Sequence, residues 1–186
     1  MKKETIKGMY DTIGIIIIPL IAVIVLFTFF FRVVGVDGES MMNTLEDGDR
    51  VIISIMSDPQ PGDIVVVSRN YNNDEAEIEQ RGSTPIIKRV IAVGGQTVDI
   101  DDDGNVIVDG VMLDEPYIAD QNQRRIGDVE FPVTIREGYI FVMGDNRNVS
   151  HDSRFTSIGE MGQINKKYVL GKAIVRFFPF DEMCVL

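Results

Sequence analysis

Twenty consecutive uncharged residues, Thr12–Phe31, stand between Asp11 and Arg32 and read TIGIIIIPLIAVIVLFTFFF. No polar face interrupts the run, so a helix made from it is apolar all round rather than one-sided, as a helix of a soluble domain is. At 1.5 Å rise per residue it is roughly 30 Å long, about the thickness of a bilayer's hydrocarbon core. Gly14 and Pro19 weaken a soluble helix but are tolerated in membrane spans. Lys2, Lys3 and Lys7 precede the run and hold that end in the cytoplasm by the positive-inside rule. A cleaved secretory signal is the rival reading. Its apolar core is roughly 7–15 residues, shorter than this one, and Arg32 and Val33 make a poor small-residue cleavage site. The run therefore predicts a cytoplasmic tail and single-pass anchor over residues 1–32, with an extracytoplasmic domain over 33–186.

That second part carries the acidity. The chain has 29 Asp and Glu against 18 Lys and Arg, a formal charge of −11, and residues 1–32 hold only two of the acidic groups. A balance of this sign argues against nucleic acid as a partner. One Cys rules out an internal disulfide and any multi-thiolate metal site, and one His rules out a His-rich zinc centre. Chemistry on this chain has to come from hydroxyls, carboxylates, amines and backbone; no metal or cofactor is called for.

Past the anchor the pattern is one of short strands. Val51–Met56, Asp63–Arg69 and Ile86–Val93 are rich in β-branched residues and bounded by Gly, Pro or Asp. Val98–Asp101 and Val106–Val108 flank Asp103-Gly104 as a hairpin. Tyr139–Met143 and Lys172–Phe178 add two strands, Ser157–Gln163 reads as a short helix, and Asn72–Gln80 and Gln121–Val129 read as solvated loops. The fold class predicted is mainly β, an antiparallel-sheet domain behind one N-terminal transmembrane helix.

Two clusters imitate functional sites. Asp99, Asp101, Asp103 and Gly104 match the opening of a calcium loop, but Gly110 stands where the bidentate Glu is needed and strands flank the run. An acidic hairpin tip is the better reading. His151 has Asp152 beside it, yet adjacency in sequence does not supply the geometry of a Ser-His-Asp triad.

Ser40 and Lys88 are the more useful residues. Ser40 follows Gly38-Glu39 just outside the anchor, where a tight turn can present its hydroxyl, although turn serines are common. Lys88 alternates with Ile86 and Val90, so it shares a strand face with two aliphatics. A lysine so placed is desolvated, and its pKa falls from about 10.4. A neutral amine can accept a serine proton; an ammonium cannot. Taken alone, the stretch fits a lysine snorkelling from a sheet edge at least as well.

A third segment, Gly144-Asp145-Asn146-Arg147-Asn148-Val149-Ser150-His151-Asp152-Ser153-Arg154, ends the strand Tyr139–Met143. With SMMNTL at 40–45 and IIKRVIAVGG at 86–95, in that order behind one anchor, the chain resembles the type I signal peptidases (leader peptidases). Their boxes are SMxPTL-like, KRV and GDNxxxSxDSR, and the resemblance runs over essentially the whole chain. It implies that Ser40 is the nucleophile and Lys88 the general base. It implies that Ser150 hydrogen-bonds and orients the amine, that Asp145, Asp152 and Arg154 support the site, and that Ser40 N–H forms part of an oxyanion hole. It also implies a catalytic β region facing the membrane, with a variable β insert at about residues 99–137. Two positions depart from the pattern: Asn43 replaces the usual Pro, and Gly38 replaces a serine that serves the oxyanion hole in some members. Length and the single anchor are similar to those of the compact Gram-positive forms.

Aliphatics near the dyad, Val36, Met41, Leu45, Ile86 and Ile87, are expected to form shallow pockets for small side chains, as in A-x-A signal-peptide sites. Val36 and Leu45 serve equally well as core. The expected function is a bacterial membrane-bound serine endopeptidase acting on secretory preproteins beside the lipid bilayer and the protein export machinery. A catalytically inactive paralogue and an anchored extracellular binding module are the alternatives.

Overall fold

The computed structural model describes residues 2–69, 84–118 and 126–186. The expected loop Asn72–Gln80, and 121–125 of the loop Gln121–Val129, lie outside the described residues.

The chain begins with one helix, α1 (Lys2–Phe29), which contains Pro19. Its side chains from Ile15 to Ile18, and Phe29 near its end, are exposed. Thr28 Oγ1 donates back to Ile24 O at 2.7 Å, which satisfies the one hydroxyl in this last apolar turn. Among the described residues no helix is long and apolar enough to cross a membrane. The run Thr12–Phe31 is described only in part, because the side chains of Thr12 and Leu26 lie outside the described residues.

Among the described residues twelve strands follow. β1 (Phe31–Gly35), β2 (Arg50–Ser54), β3 (Ile64–Val67), β4 (Ile86–Val93), β9 (Tyr139–Met143), β10 (Ile164–Asn165), β11 (Val169–Phe178) and β12 (Cys184–Val185) form an eight-stranded sheet. Its order is β1-β2-β11-β3-β4-β9-β10, with β12 on β11. β5 (Thr97–Ile100), β6 (Val106–Val108), β7 (Val111–Met112) and β8 (Val133–Thr134) form a second sheet in the order β7-β6-β5-β8. All these pairings are antiparallel, as the alternating β-branched strands predict. Asp101 closes the β5–β6 turn by accepting the N–H groups of Asp103 and Asn105 at 3.0 and 2.8 Å, so its carboxylate works as a turn cap.

β4 is an interior strand between β3 and β9, and alternation sends its residues to opposite faces. Ile86 and Val90 join Val65, Val67, Ile140 and Val142 in one core cluster; Ile87 joins Val51, Ile53 and Val66 in another. Lys88 is opposite Val65 and Arg89 opposite Ile64 on β3. A third cluster, with Phe141 and Met143, packs β9 against Val98, Ile100 and Val106 of the second sheet.

The helix expected at Ser157–Gln163 does not form. Gly159, Met161 and Gly162 adopt positive φ (58°, 55° and 83°), which breaks a right-handed helix, and Glu160 bridges to Gln163 instead.

Candidate active site

Ser40 lies in the turn after β1, where Met42 N donates to Glu39 O at 3.2 Å and Leu45 N to Met41 O at 2.9 Å. Apolar burial of Met41 and Leu45, at 1% and 0% exposure, pins the turn to the sheet and leaves Ser40 partly open. Lys88 Nζ donates to Ser40 Oγ at 2.7 Å and to Ile87 O at 2.9 Å. The two motifs, 48 residues apart in sequence, therefore meet tip to tip.

Lys88 is only 4% exposed, so it does not snorkel. Burial lowers its pKa from 10.5 to about 8, with Arg69 and Arg154 pushing the same way and Asp152 and Asp145 opposing. In the neutral amine the lone pair can face Ser40 Oγ while an N–H stays on Ile87 O.

The loop after β9 holds the serine from behind. Asn146 N donates to Ser40 O at 3.1 Å, and Asn146 Nδ2 donates to Glu39 O at 3.2 Å. Gly144 permits this approach, since a Cβ there meets both Ser40 O and Ser150 Oγ in steric clash. Asp145 accepts from Arg89 Nε at 2.9 Å and Nη2 at 2.7 Å, and from Thr44 Oγ1. One carboxylate thus joins β4 to the nucleophile turn. Asp152 is completely buried and accepts from Arg154 Nε at 2.8 Å and Nη2 at 2.9 Å and from Gly144 N at 3.0 Å. Burial on its own raises this carboxyl; the Arg154 charge and these hydrogen bonds outweigh it and hold the pKa below the usual range.

Two expectations need correction. Ser150 is buried, but its hydroxyl makes no hydrogen bond to Lys88; it lies toward Gly144, on the side of Asp152, whose carboxyl it helps to hold down. Leu45 does not line the cleft at Ser40, because it is 0% exposed and packs among Val51, Ile53 and Val66. Val36, Met41, Ile86 and Ile87 do line a cleft that reaches Ser40 and Lys88, with a cavity volume of about 160 Å³. His151 lies exposed against Phe155, with its Nε2 3.0 Å from Ser157 Oγ.

Sequence reasoning passed over Arg89, Thr44, Asn146 and Gly144. Arg89 was discoverable from alternation: the residue after an inward lysine points the other way, into the acidic loop.

A family model for signal peptidases, peptidase S26, matches residues 9–178. This chain belongs to that family. The signal peptidase I of Bacillus licheniformis is 32% identical over 195 residues, covering 98% of this chain and 96% of that protein. Signal peptidase I S of Bacillus subtilis (strain 168) is 31% identical over 197 residues, with 98% of each covered. A crystal structure of a signal peptidase I from Enterococcus faecalis V583 matches with 28% identity and a TM-score of 0.46, over 62% of this chain and 97% of that one. The chain is thus a peptidase of the S26 family, and the three boxes at residues 40–45, 86–95 and 144–154 all lie inside the family match.

Proposed function

We propose that this chain is a membrane-anchored serine endopeptidase that removes signal peptides from exported preproteins, with Ser40 as nucleophile and Lys88 as general base. The observation that carries the reading is the 2.7 Å contact between Lys88 Nζ and Ser40 Oγ, made by an amine whose pKa is lowered to about 8.

With the amine neutral, the Ser40 hydroxyl becomes the donor across that contact, and its proton passes to the Lys88 lone pair as Ser40 Oγ attacks the scissile carbonyl. The oxyanion forms beside Ser40 N–H, its donor in the turn. Gly38 contributes no hydroxyl, and its N–H is committed to Asp47 Oδ1 at 2.8 Å. Collapse of the intermediate expels the new N-terminus, which takes the proton from the Lys88 ammonium and leaves the signal peptide as an ester on Ser40. Lys88, neutral again, draws a proton from water as water attacks the ester, and the signal peptide departs with a free carboxylate.

The substrate would lie along the start of β4. β9 pairs with β4 only from Arg89 onward, opposite Met143, so among the described residues Ile86–Lys88 keeps one unpaired edge where an extended peptide can add. Val36, Met41, Ile86 and Ile87 leave about 160 Å³ there, which suits the small side chains of an A-x-A site. The uncharged run Thr12–Phe31 behind Lys2, Lys3 and Lys7 favours a bilayer anchor over residues 1–32, with the N-terminus cytoplasmic and residues 33–186 extracytoplasmic, next to the export machinery that delivers preproteins.

The test is cleavage of a preprotein bearing an A-x-A site by the full chain in detergent. Wild type should cut, Ser40→Ala and Lys88→Ala should not, and kcat/KM should rise about tenfold per pH unit below 8 and level off above it. Cleavage retained by either variant, or a rate flat between about pH 6 and 9, overturns the dyad.

A further inference from the structure

Five side chains from three separate stretches close into a ring beside the dyad. Arg89 of β4 is paired with Asp145 in the loop after β9. Two residues on, Arg147 grips Glu115, with Nη1 to Oε2 at 2.9 Å and Nη2 to Oε1 at 2.5 Å. Glu115 belongs to the connection that leaves the second sheet after β7, and Tyr117 OH donates to its Oε1 at 2.8 Å. The Tyr117 ring then lies under the Arg89 guanidinium, 4.0 Å from centroid to carbon, and closes the circuit. Burial, followed by the Glu115 charge, pushes the Tyr117 phenol upward, so it remains a donor.

The Arg147 and Glu115 side chains are 1% and 5% exposed. A buried pair of this kind contributes little stability compared with apolar residues of the same volume, and its best-attested use is to fix geometry. Its position shows what is fixed. Arg147 Nε donates to Gly144 O at 3.0 Å, and the backbone between them holds Ser40 O through Asn146 N at 3.1 Å. Neither Glu115 nor Tyr117 lines the cleft at Ser40.

We propose that Glu115 and Tyr117 are positioning residues for the Ser40–Lys88 dyad: by clamping Arg147 and Arg89 they set the loop 144–147 against which the nucleophile's backbone is hydrogen-bonded. The second sheet is on this account part of the catalytic apparatus, through contacts about two residues removed from the reacting atoms. The proposal rests on the dyad reading above. Displacement of a nucleophile by about 1 Å costs on the order of 100-fold in rate.

The test uses the full chain in detergent, with Ser40→Ala as the blank, and compares wild type, Glu115→Leu, Glu115→Gln and Tyr117→Phe. Two measurements are made: kcat and KM on a preprotein, and amide hydrogen exchange over 38–42 and 144–150. Glu115→Leu should lower kcat by roughly 10- to 100-fold with KM within about twofold, and should speed exchange in those two segments only. Glu115→Gln, which keeps the shape and the Tyr117 contact, should recover part of the rate. An unchanged kcat, or exchange raised evenly over both sheets, overturns the proposal. If Glu115→Leu does not fold, Tyr117→Phe is judged by the same two measurements. If wild type leaves the preprotein uncut, the peptidase reading fails, while exchange loosened only at those two segments still upholds the clamp.

Discussion

Lys88 is held where a charged lysine is costly. Moving its pKa from 10.5 to about 8 represents about 3 kcal/mol against the protonated form. The unfolded chain binds this proton up to about pH 10.4 and the folded chain only up to about 8, so unfolding takes up a proton between those values and stability rises with pH across that window. Lys88→Met, which fills the same space without a charge, should therefore be more stable than wild type at pH 7 by up to about 3 kcal/mol, with the gap closing by about pH 10.5. Urea unfolding of both proteins at the two pH values checks this; parallel curves contradict it. At this scale the sequence was only half readable. Alternation with Ile86 and Val90 marks Lys88 as desolvated, but nothing local distinguishes a buried base from a snorkelling chain until Ser40 is seen to arrive. Ser150 illustrates the converse, a residue present in its box whose hydroxyl torsion no sequence pattern determines.

The loop that follows β9 depends on charges rather than apolar contacts for its shape. Asp152 is completely buried with Arg154, itself 2% exposed, as its main partner. Asp152→Ala leaves that guanidinium buried without its carboxylate, held by the carbonyls of Arg147 and Ser150, and should destabilise the protein by about 3–5 kcal/mol at pH 7. Because the Asp152 pKa is depressed, its stabilisation is present above the ordinary carboxylate pKa and is lost as pH falls through the folded value. The difference between wild type and Asp152→Ala in thermal melts should therefore persist at pH 5 and shrink in stronger acid. A difference below about 1 kcal/mol at pH 7 would show that water or a moved partner replaces the carboxylate. Strands were legible wherever β-branched residues alternate, as in β2, β4 and β9. The failure at Ser157–Gln163 has a physical cause: Met161 takes a left-handed conformation imposed by its surroundings, and a methionine gives no local sign of that.

For the molecule as a whole, the contrast lies between the uncharged run Thr12–Phe31, most of it in α1, and an acidic remainder. α1 exposes Ile16, Ile18 and Leu20 at 63%, 69% and 56%, a surface that water solvates poorly and lipid does not. The full chain should float with phospholipid vesicles and resist alkaline carbonate extraction. Ile17→Asp together with Ile21→Asp, at about 3 kcal/mol each near the centre of a span, should release it. Flotation unaffected by the pair would place the lipid contact elsewhere. The antiparallel, mainly β class was readable from the alternating β-branched strands; the grip of the Glu115–Tyr117 connection on the loop after β9 was not, because Glu115 and Arg147 are distant in sequence and each looks like an ordinary surface charge.

The pairing of Lys88 with Val65 and Arg89 with Ile64 on β3 has an implication for quality control during folding. A slip of one residue in that pairing would turn a titratable amine away from Ser40 and bring in a guanidinium that never gives up its proton. On the dyad reading proposed above, a misaligned copy of this chain would be inert rather than promiscuous, and the appearance of proteolysis during refolding would time the instant at which β4 locks into place.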